Sequence, residues 1–407
     1  MVINGERLIS HLKEVREFTD TPGNGVTRFS YSENDRKVRE YILDKARCAG
    51  CSIETDAVGN IRLGLKNNTG SQKIIVCGSH IDTVRNGGWL DGIYGSLSSL
   101  EVMLTLSENS YSGRYGFETV IFAEEEGSNF GSTMTGSKFI TGIYGDEDLD
   151  RLKDDSGRTL REYLSIDSLP DDIIWDFDRY RAMFELHIEQ GPVLDRENIP
   201  IGIINAVFGM RTVEITVTGV GNHAGATPMS ERFDALSAAA LCILSAERIV
   251  SEDPDRRTVA TAGKMSISPN CSNVIPESVT FTLEIRDSDI HKIDSYMEKV
   301  LDEIRNICAD RKCTVSIREH SKGAPVILNE DIRKRMIKTA QKKNLTYKVM
   351  DSGAVHDAAM IAPHIDTGMI FVPSIEGRSH VPFEDTKTED LVTGAQFLLD
   401  VITGEME

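Results

Sequence analysis

The sequence predicts an α/β fold: a main domain with a mixed, mostly parallel sheet flanked by helices, plus an inserted ferredoxin-like α+β domain. Three observations predict it. Short, wholly apolar runs alternate with helical patterns through the first half, half-exposed strands take over near Arg211, and the first texture returns after Pro325. The 407-residue length also favours two domains, because single cores stop growing at roughly 250–300 residues.

Taken in order, Ser32 to Ala49 puts Val38, Tyr41, Ile42 and Ala46 on one helical stripe. Lys73 to Gly78 (KIIVCG) reads as a buried parallel strand, and Gly92 to Leu106 as a helix rich in small and apolar residues. Thr119 to Ala123 (TVIFA) and Met183 to Ile188 (MFELHI) read as further buried strands. Strands that alternate with helices imply a sheet covered on both faces.

Beyond Arg211, Val213, Ile215 and Val217 alternate with Glu214, Thr216 and Thr218, the pattern of a strand with one wet face. A helix (Phe233–Val250), strands around Val259–Ser268 and Val279–Ile285, a helix (Ile290–Ile307) and a strand (Thr314–Arg318) follow. Strand, helix, two strands, helix, strand is the ferredoxin-like order. This reading sets the insert at 211–322, between main-domain segments 1–210 and 323–407. A helix (Asn329–Lys342) and a strand (Gly368–Pro373) complete the main domain.

Acidic residues outnumber basic ones 64 to 45, a net charge of −19, which argues against nucleic acid as a partner because phosphate binding needs a basic face. The N-terminus MVINGERLISHLKEVREF has no apolar core or cleavage site of a secretory signal, and no run reaches the roughly 20 apolar residues that span a bilayer. Seven scattered cysteines read as reduced thiols, so a cytoplasmic protein with no membrane partner is expected. Cys48 and Cys51 form a C-x-x-C at the end of a charged helix with no second pair. Simple packing suits them better than a redox or zinc role.

Four places carry the residue types that hold hard or borderline cations. In GSHIDTVRNGGWLDGIYG, after the strand KIIVC, His80 and Asp82 are two apart and share a face. The carboxylate can then orient the imidazole. Asp91 follows a Gly-rich turn and opens the next helix. In AEEEGSNFG, three consecutive carboxylates end a buried strand, a conflict that a cation would resolve. ELHIEQG sets His187 in an apolar strand, with Glu189 two along, and PSIEGRSHVPFED offers His380 on a loop. A lone histidine near a strand end is more often a surface or satisfied group, and His11, His291, His320 and His364 earn only that reading. Four such sites at successive strand ends differ, because ligands of open α/β sheets gather at carboxyl ends.

These stretches, with NHAGATPMSERFDAL, NVIPESVTFTLEIRD, SGAVHDA and MIFVPSIEGRSH, resemble the amidase/hydantoinase/carbamoylase branch of the zinc aminoacylase and carboxypeptidase-like hydrolases. That branch includes N-carbamoyl-L-amino acid hydrolases, allantoate amidohydrolase and β-ureidopropionase of the bacterial and yeast type. The motifs run in the family's order from residue 78 to 380, and the likeness covers essentially the whole chain. It implies a catalytic main domain holding two divalent ions per subunit (Zn, or Mn, Co or Ni) and an insert serving as lid and dimerisation domain.

Carried over residue by residue, His80, Asp91 and His187 would hold one ion, and Asp91, Glu126 and His380 the other, with Asp91 bridging and Asp82 behind His80. Glu125 would be the general base, and Glu124 an additional structural or supporting acid. His223 would reach the active site of the partner subunit in a homodimer and stabilise an oxyanion. Gln190, Asn273, Arg286 and His356 would meet substrate, with Arg286 suited to grip a carboxylate bidentately. A surface ion pair of Arg286 with Asp287 or Asp289 is the bland alternative.

Trp89, Leu90, Asn129, Val381 and Phe383 depart from the family pattern. None is a ligand position, but they leave the substrate open. The implied reaction is hydrolysis of the ureido C–N bond of an N-carbamoyl-L-amino acid to amino acid, ammonia and carbon dioxide. Allantoate, then a dipeptide or N-acyl amino acid, are competing substrates. A non-catalytic metal- or ligand-binding scaffold is the competing class, opposed by the intact ligand and base positions.

Overall fold

The computed structural model describes residues 1–65, 73–255 and 257–406. In chain order the strands are β1 (Ser52–Thr55), β2 (Ile61–Gly64), β3 (Ile74–His80), β4 (Gly116–Phe122), β5 (Tyr180–Ile188) and β6 (Ile201–Val207). There follow β7 (Gly209–Thr218), β8 (Asn222–His223), β9 (Val259–Thr261), β10 (Met265–Ser268), β11 (Val274–Ile275) and β12 (Ser278–Asp287). The last are β13 (Thr314–Gly323), β14 (Val326–Ile327), β15 (Tyr347–Ser352) and β16 (Thr367–Val372). The chain divides into two compact units, one of Met1–Asn205 with Leu328–Glu407 and one of Ala206–Ile327.

In the first unit the sheet order is β1-β2-β4-β3-β5-β16-β6, with β15 also beside β6. The centre is parallel: β4 with β3, β3 with β5, and β5 with β16. β1–β2, β2–β4 and β16–β6 are antiparallel. The expected sheet was mostly parallel, and its flanks correct that. The β1–β2 hairpin turns back through a five-residue connection (56–60), too short for a crossover. Every residue of β3, β4 and β16 is buried, as in strands covered on both faces.

The main core joins these strands to the helices Gly5–Arg16, Glu33–Cys48, Ile93–Glu108, Glu330–Lys342 and Thr388–Met406. Helix Glu33–Cys48 starts where Ser32 accepts the N–H of Asp35, and buries Val38, Ile42 and Ala46 on one stripe. Cys51 packs against Met103 rather than pairing with Cys48.

The second unit carries an antiparallel sheet of order β10-β12-β7-β13, with β9 also on β12. Helix Ala235–Ser251 connects β7 to β9 and β10, and helix Ile290–Asp310 connects β12 to β13. Numbered within the unit as 1 (β7), 2 (β10), 3 (β12) and 4 (β13), the spatial order 2-3-1-4 is the ferredoxin-like one. β12 alternates strictly between buried and half-buried residues. Its Val279, Phe281, Leu283 and Ile285 join Val213, Ile215 and Val217 against Ala238, Cys242, Met297, Val300 and Ile304 of the helices. No helix among the described residues is long and apolar enough to cross a membrane.

Candidate metal centre and active site

Four adjacent strands of the first unit deliver the candidate ligands at their carboxyl ends. His80 ends β3, and His187 is the penultimate residue of neighbouring β5. The Glu124–Glu125–Glu126 run follows β4, and His380 lies on the loop after β16. Asp91 precedes helix Ile93–Glu108, separated from it by Gly92. Gly92 has φ +64°, and a Cβ there would sit 2.3–2.4 Å from atoms of the His80 ring, so both backbone and space demand glycine.

The convergence centres on Asp91. Its Oδ1 is 3.2 Å from His187 Nε2 and 3.6 Å from His80 Nε2. Its Oδ2 is 3.2 Å from His380 Nε2, which is 3.4 Å from Glu126 Oε2. Two ligand triads result, His80–Asp91–His187 and Asp91–Glu126–His380, with Asp91 common to both. Ligand atoms held at about 2.1 Å around a tetrahedral ion lie about 3.4 Å apart, so these separations suit a cation between them.

The donor states agree. His187 Nδ1 lies 2.9 Å from the Ile188 carbonyl, while Nε2 accepts the N–H of Gly92 at 3.1 Å. In a neutral ring with its proton on Nδ1, Nε2 is the nitrogen that faces Asp91 Oδ1 and can ligate a cation. Glu125 Oε1, Glu126 Oε1 and Gln190 Oε1 are buried with no hydrogen-bond donor, which is costly without a positive partner.

Charge balance is strained in the same sense. Burial drives the Glu126 carboxyl up to about 7, with the Asp91 charge pushing the same way. Burial also holds Glu125 well above the usual carboxylate range despite nearby His80. Asp91 goes the other way: burial opposes its ionisation, but His187 and His380 outweigh that and hold it well below the ordinary value.

The pattern of the peptidase family M20/M25/M40 matches residues 76–404. The chain belongs to this family. It is similar to an N-carbamoyl-L-amino-acid amidohydrolase of Paenarthrobacter aurescens, 36% identical over 98% of this chain and 97% of that one. An allantoate amidohydrolase of Escherichia coli (strain K12) is 34% identical over 96% and 97%. A solved amidase of the hydantoinase/carbamoylase family from Burkholderia multivorans superposes with a TM-score of 0.90 at 32% identity, covering 100% of this chain and 98% of that one. The chain is accordingly a hydrolase of amide C–N bonds.

Within this M20-family site, Asp82 is a hub. Its Oδ1 accepts the Glu125 N–H and its Oδ2 the Glu126 N–H, at 3.2 and 3.1 Å. His80 Nδ1 is nearer the Asp82 carbonyl (3.1 Å) than its carboxylate (3.6 Å), so Asp82 holds the ring mainly through its backbone. Glu125 Oε2 is 3.7 Å from His80 Nε2. Glu124 turns away: its Oε1 accepts the N–H groups of Asn129 and Phe130, a turn-building role. Glu189, spaced from His187 as Asp82 is from His80, instead accepts from Val193 and Leu194 at the start of the next helix.

Gln190 donates from Nε2 to Asp91 Oδ2 at 2.7 Å. His356 is buried, edge-on to His187 with ring centroids 4.7 Å apart, and its Nε2 lies 2.9 Å from Ser352 Oγ. In the second unit β8 pairs with β11, which brings exposed His223 opposite Val274 and beside Asn273, whose carbonyl accepts the Ala224 N–H. Arg286, near the end of β12, pairs with Glu284 at 2.6 Å.

Four supporting residues escaped sequence reasoning. Glu384 accepts the N–H groups of Leu90 and Asp91, and Ser379 Oγ lies within 2.8 Å of both Asp91 Oδ2 and Glu384 Oε2. Glu185 accepts from Ser79 and the Ala358 N–H, and Asp357 from Ser137. Glu185 was findable as an acid inside a buried strand; the others carry no local mark.

Proposed function

We propose that the chain is a two-metal amidohydrolase that cleaves the ureido C–N bond of N-carbamoyl-L-amino acids, acting as a cytoplasmic homodimer. One observation carries the reading: one oxygen of Asp91 faces His80 and His187, and the other faces His380, itself beside Glu126. His80, Asp91 and His187 would hold one divalent ion (Zn, or Mn, Co or Ni), and Asp91, Glu126 and His380 the other. Bound there, the ions would supply Lewis acidity, polarising the substrate carbonyl and acidifying a water.

Glu125 is the general base and acid of this scheme. It takes a proton from the attacking water and delivers it to the leaving nitrogen, a role open to a buried carboxylate that belongs to neither ligand triad. Expulsion of the amino acid leaves carbamic acid, which falls to ammonia and carbon dioxide. The second unit acts as lid and dimerisation domain. Arg286 would pair with the substrate carboxylate, Asn273, Gln190 and His356 would contact substrate, and His223 of one subunit would donate to the oxyanion formed on the other.

Allantoate is the competing substrate, since an allantoate amidohydrolase is 34% identical over nearly the full length. Metal-reconstituted protein should be assayed on N-carbamoyl-L-amino acids, β-ureidopropionate, allantoate, N-acetyl amino acids and dipeptides. The highest kcat/KM is expected on an N-carbamoyl-L-amino acid. A preference for allantoate, or turnover restricted to acyl or peptide amides, would replace this substrate assignment.

A further inference from the structure

His223 sits on a turn whose polar groups are gripped from both sides. Its Nδ1 accepts two backbone N–H groups, from Gly225 at 3.1 Å and Ala226 at 3.2 Å. Turn carbonyls on the other side receive the Arg232 guanidinium: Nε donates to Thr227 and Nη2 to Ala224. The Thr227 hydroxyl closes the turn onto the His223 carbonyl at 2.8 Å, and the Ala224 N–H ties it to Asn273.

Two donors on one ring nitrogen leave no place for a proton there. In the neutral ring the proton then sits on Nε2, because an N–H at Nδ1 would face two N–H groups. A lysine at 232 could not reproduce this grip, because one ammonium lacks the planar fork that meets two carbonyls in fixed directions.

We propose that Arg232 and the turn amides of Gly225 and Ala226 lock His223 in its Nε2–H tautomer, with Arg232 as a positioning residue. The two ring nitrogens thus have separate tasks. Nδ1 is a turn acceptor, and Nε2–H is the donor that an oxyanion requires. This rests on the reading of His223 as an oxyanion donor, but the lock itself can be observed without turnover.

The test uses full-length, metal-reconstituted protein labelled with ¹⁵N-histidine, with His223→Gln identifying the His223 signals. A single Nε2–H tautomer with an Nδ1 shifted by hydrogen bonding is expected, with slow amide exchange at Gly225 and Ala226. His223→Asn, whose Oδ1 mimics Nδ1, should keep that slow exchange, whereas His223→Gln should lose it. Arg232→Met should give an averaged tautomer signal and lower kcat by about 10–100-fold, less than the loss of the donor itself, with KM changed little. Arg232→Lys should recover only part of that loss.

An Nδ1–H or averaged signal in the wild type would overturn the lock, as would an Arg232→Met protein with unaltered His223 signals and full kcat. A locked tautomer together with a fully active His223→Asn protein would sustain the lock and remove His223 from catalysis, so the two claims fail separately.

Discussion

The carboxylate of Glu384 accepts the backbone N–H of Asp91 at 3.0 Å, so one buried acid fixes the backbone that presents another. The same Oε1 takes the Leu90 N–H, and Oε2 meets Ser379, whose hydroxyl also reaches Asp91 Oδ2. The segment carrying Asp91 and the loop carrying His380 are thereby tied together before any ion binds. Glu384→Ala should therefore weaken metal binding by about 10–100-fold, the usual effect of losing a residue that orients a ligand. Equilibrium dialysis with Zn or Mn checks this. Wild-type affinity in a folded Glu384→Ala protein would show that the tie is dispensable.

Glu125 contacts the site without belonging to either ligand triad. Glu125→Gln keeps the shape and removes the proposed base, so kcat should fall by at least about 100-fold while metal content stays at the wild-type level. Metal analysis alongside the assay separates the two roles. Loss of metal together with activity would make Glu125 a ligand.

Without ions, the buried acids make stability depend on pH. Burial raises Glu124 to about 8 and Glu126 and Glu384 to about 7, all above their ordinary range when unfolded. A carboxyl with a raised folded pKa contributes stability below its unfolded pKa and loses it as pH rises through the folded value. The raised His380, at about 9, adds a loss in the same direction. The Tm of metal-free protein should accordingly fall from pH 5 to pH 8, while excess Zn or Mn raises Tm most at pH 8. Calorimetry with and without chelator reads both. A flat or rising metal-free Tm would argue against these protonation states.

If His223 acts across a dimer, the inactive His223→Ala and Glu125→Gln proteins should complement. Mixing them under subunit exchange should restore about a quarter of wild-type activity, because a statistical mixture is half heterodimer and one of its two sites is intact. No recovery despite proven exchange would place His223 in its own subunit's chemistry or outside catalysis.

The legible parts of this molecule were those where a residue conflicts with its surroundings. A histidine inside the buried strand Tyr180–Ile188 and three acids after Gly116–Phe122 violate the apolar pattern, and both lie at the candidate centre. The central strands were legible because continuous burial leaves an unbroken apolar run. Strands Ser52–Thr55 and Tyr347–Ser352 were not, since exposed or half-exposed edges carry mixed residues with no clear period. Nor does sequence show that Glu124, Gln190 and His380 adopt left-handed backbones, at φ +53°, +58° and +58°. These conformations aim side chains in directions that spacing rules do not anticipate, and they are held by tertiary contacts such as those of Glu124 with Asn129 and Phe130. Glu384 stayed hidden for a related reason. Beside Asp385 on a loop, it is distinguished only by reaching back 293 residues to Asp91.

Anomalous diffraction from crystals of metal-reconstituted protein tests the central claim most directly. Two peaks per subunit are predicted, one beside each oxygen of Asp91: the first among His80 and His187, the second between Glu126 and His380. A single peak, or ions bound away from Asp91, would contradict the two-metal account.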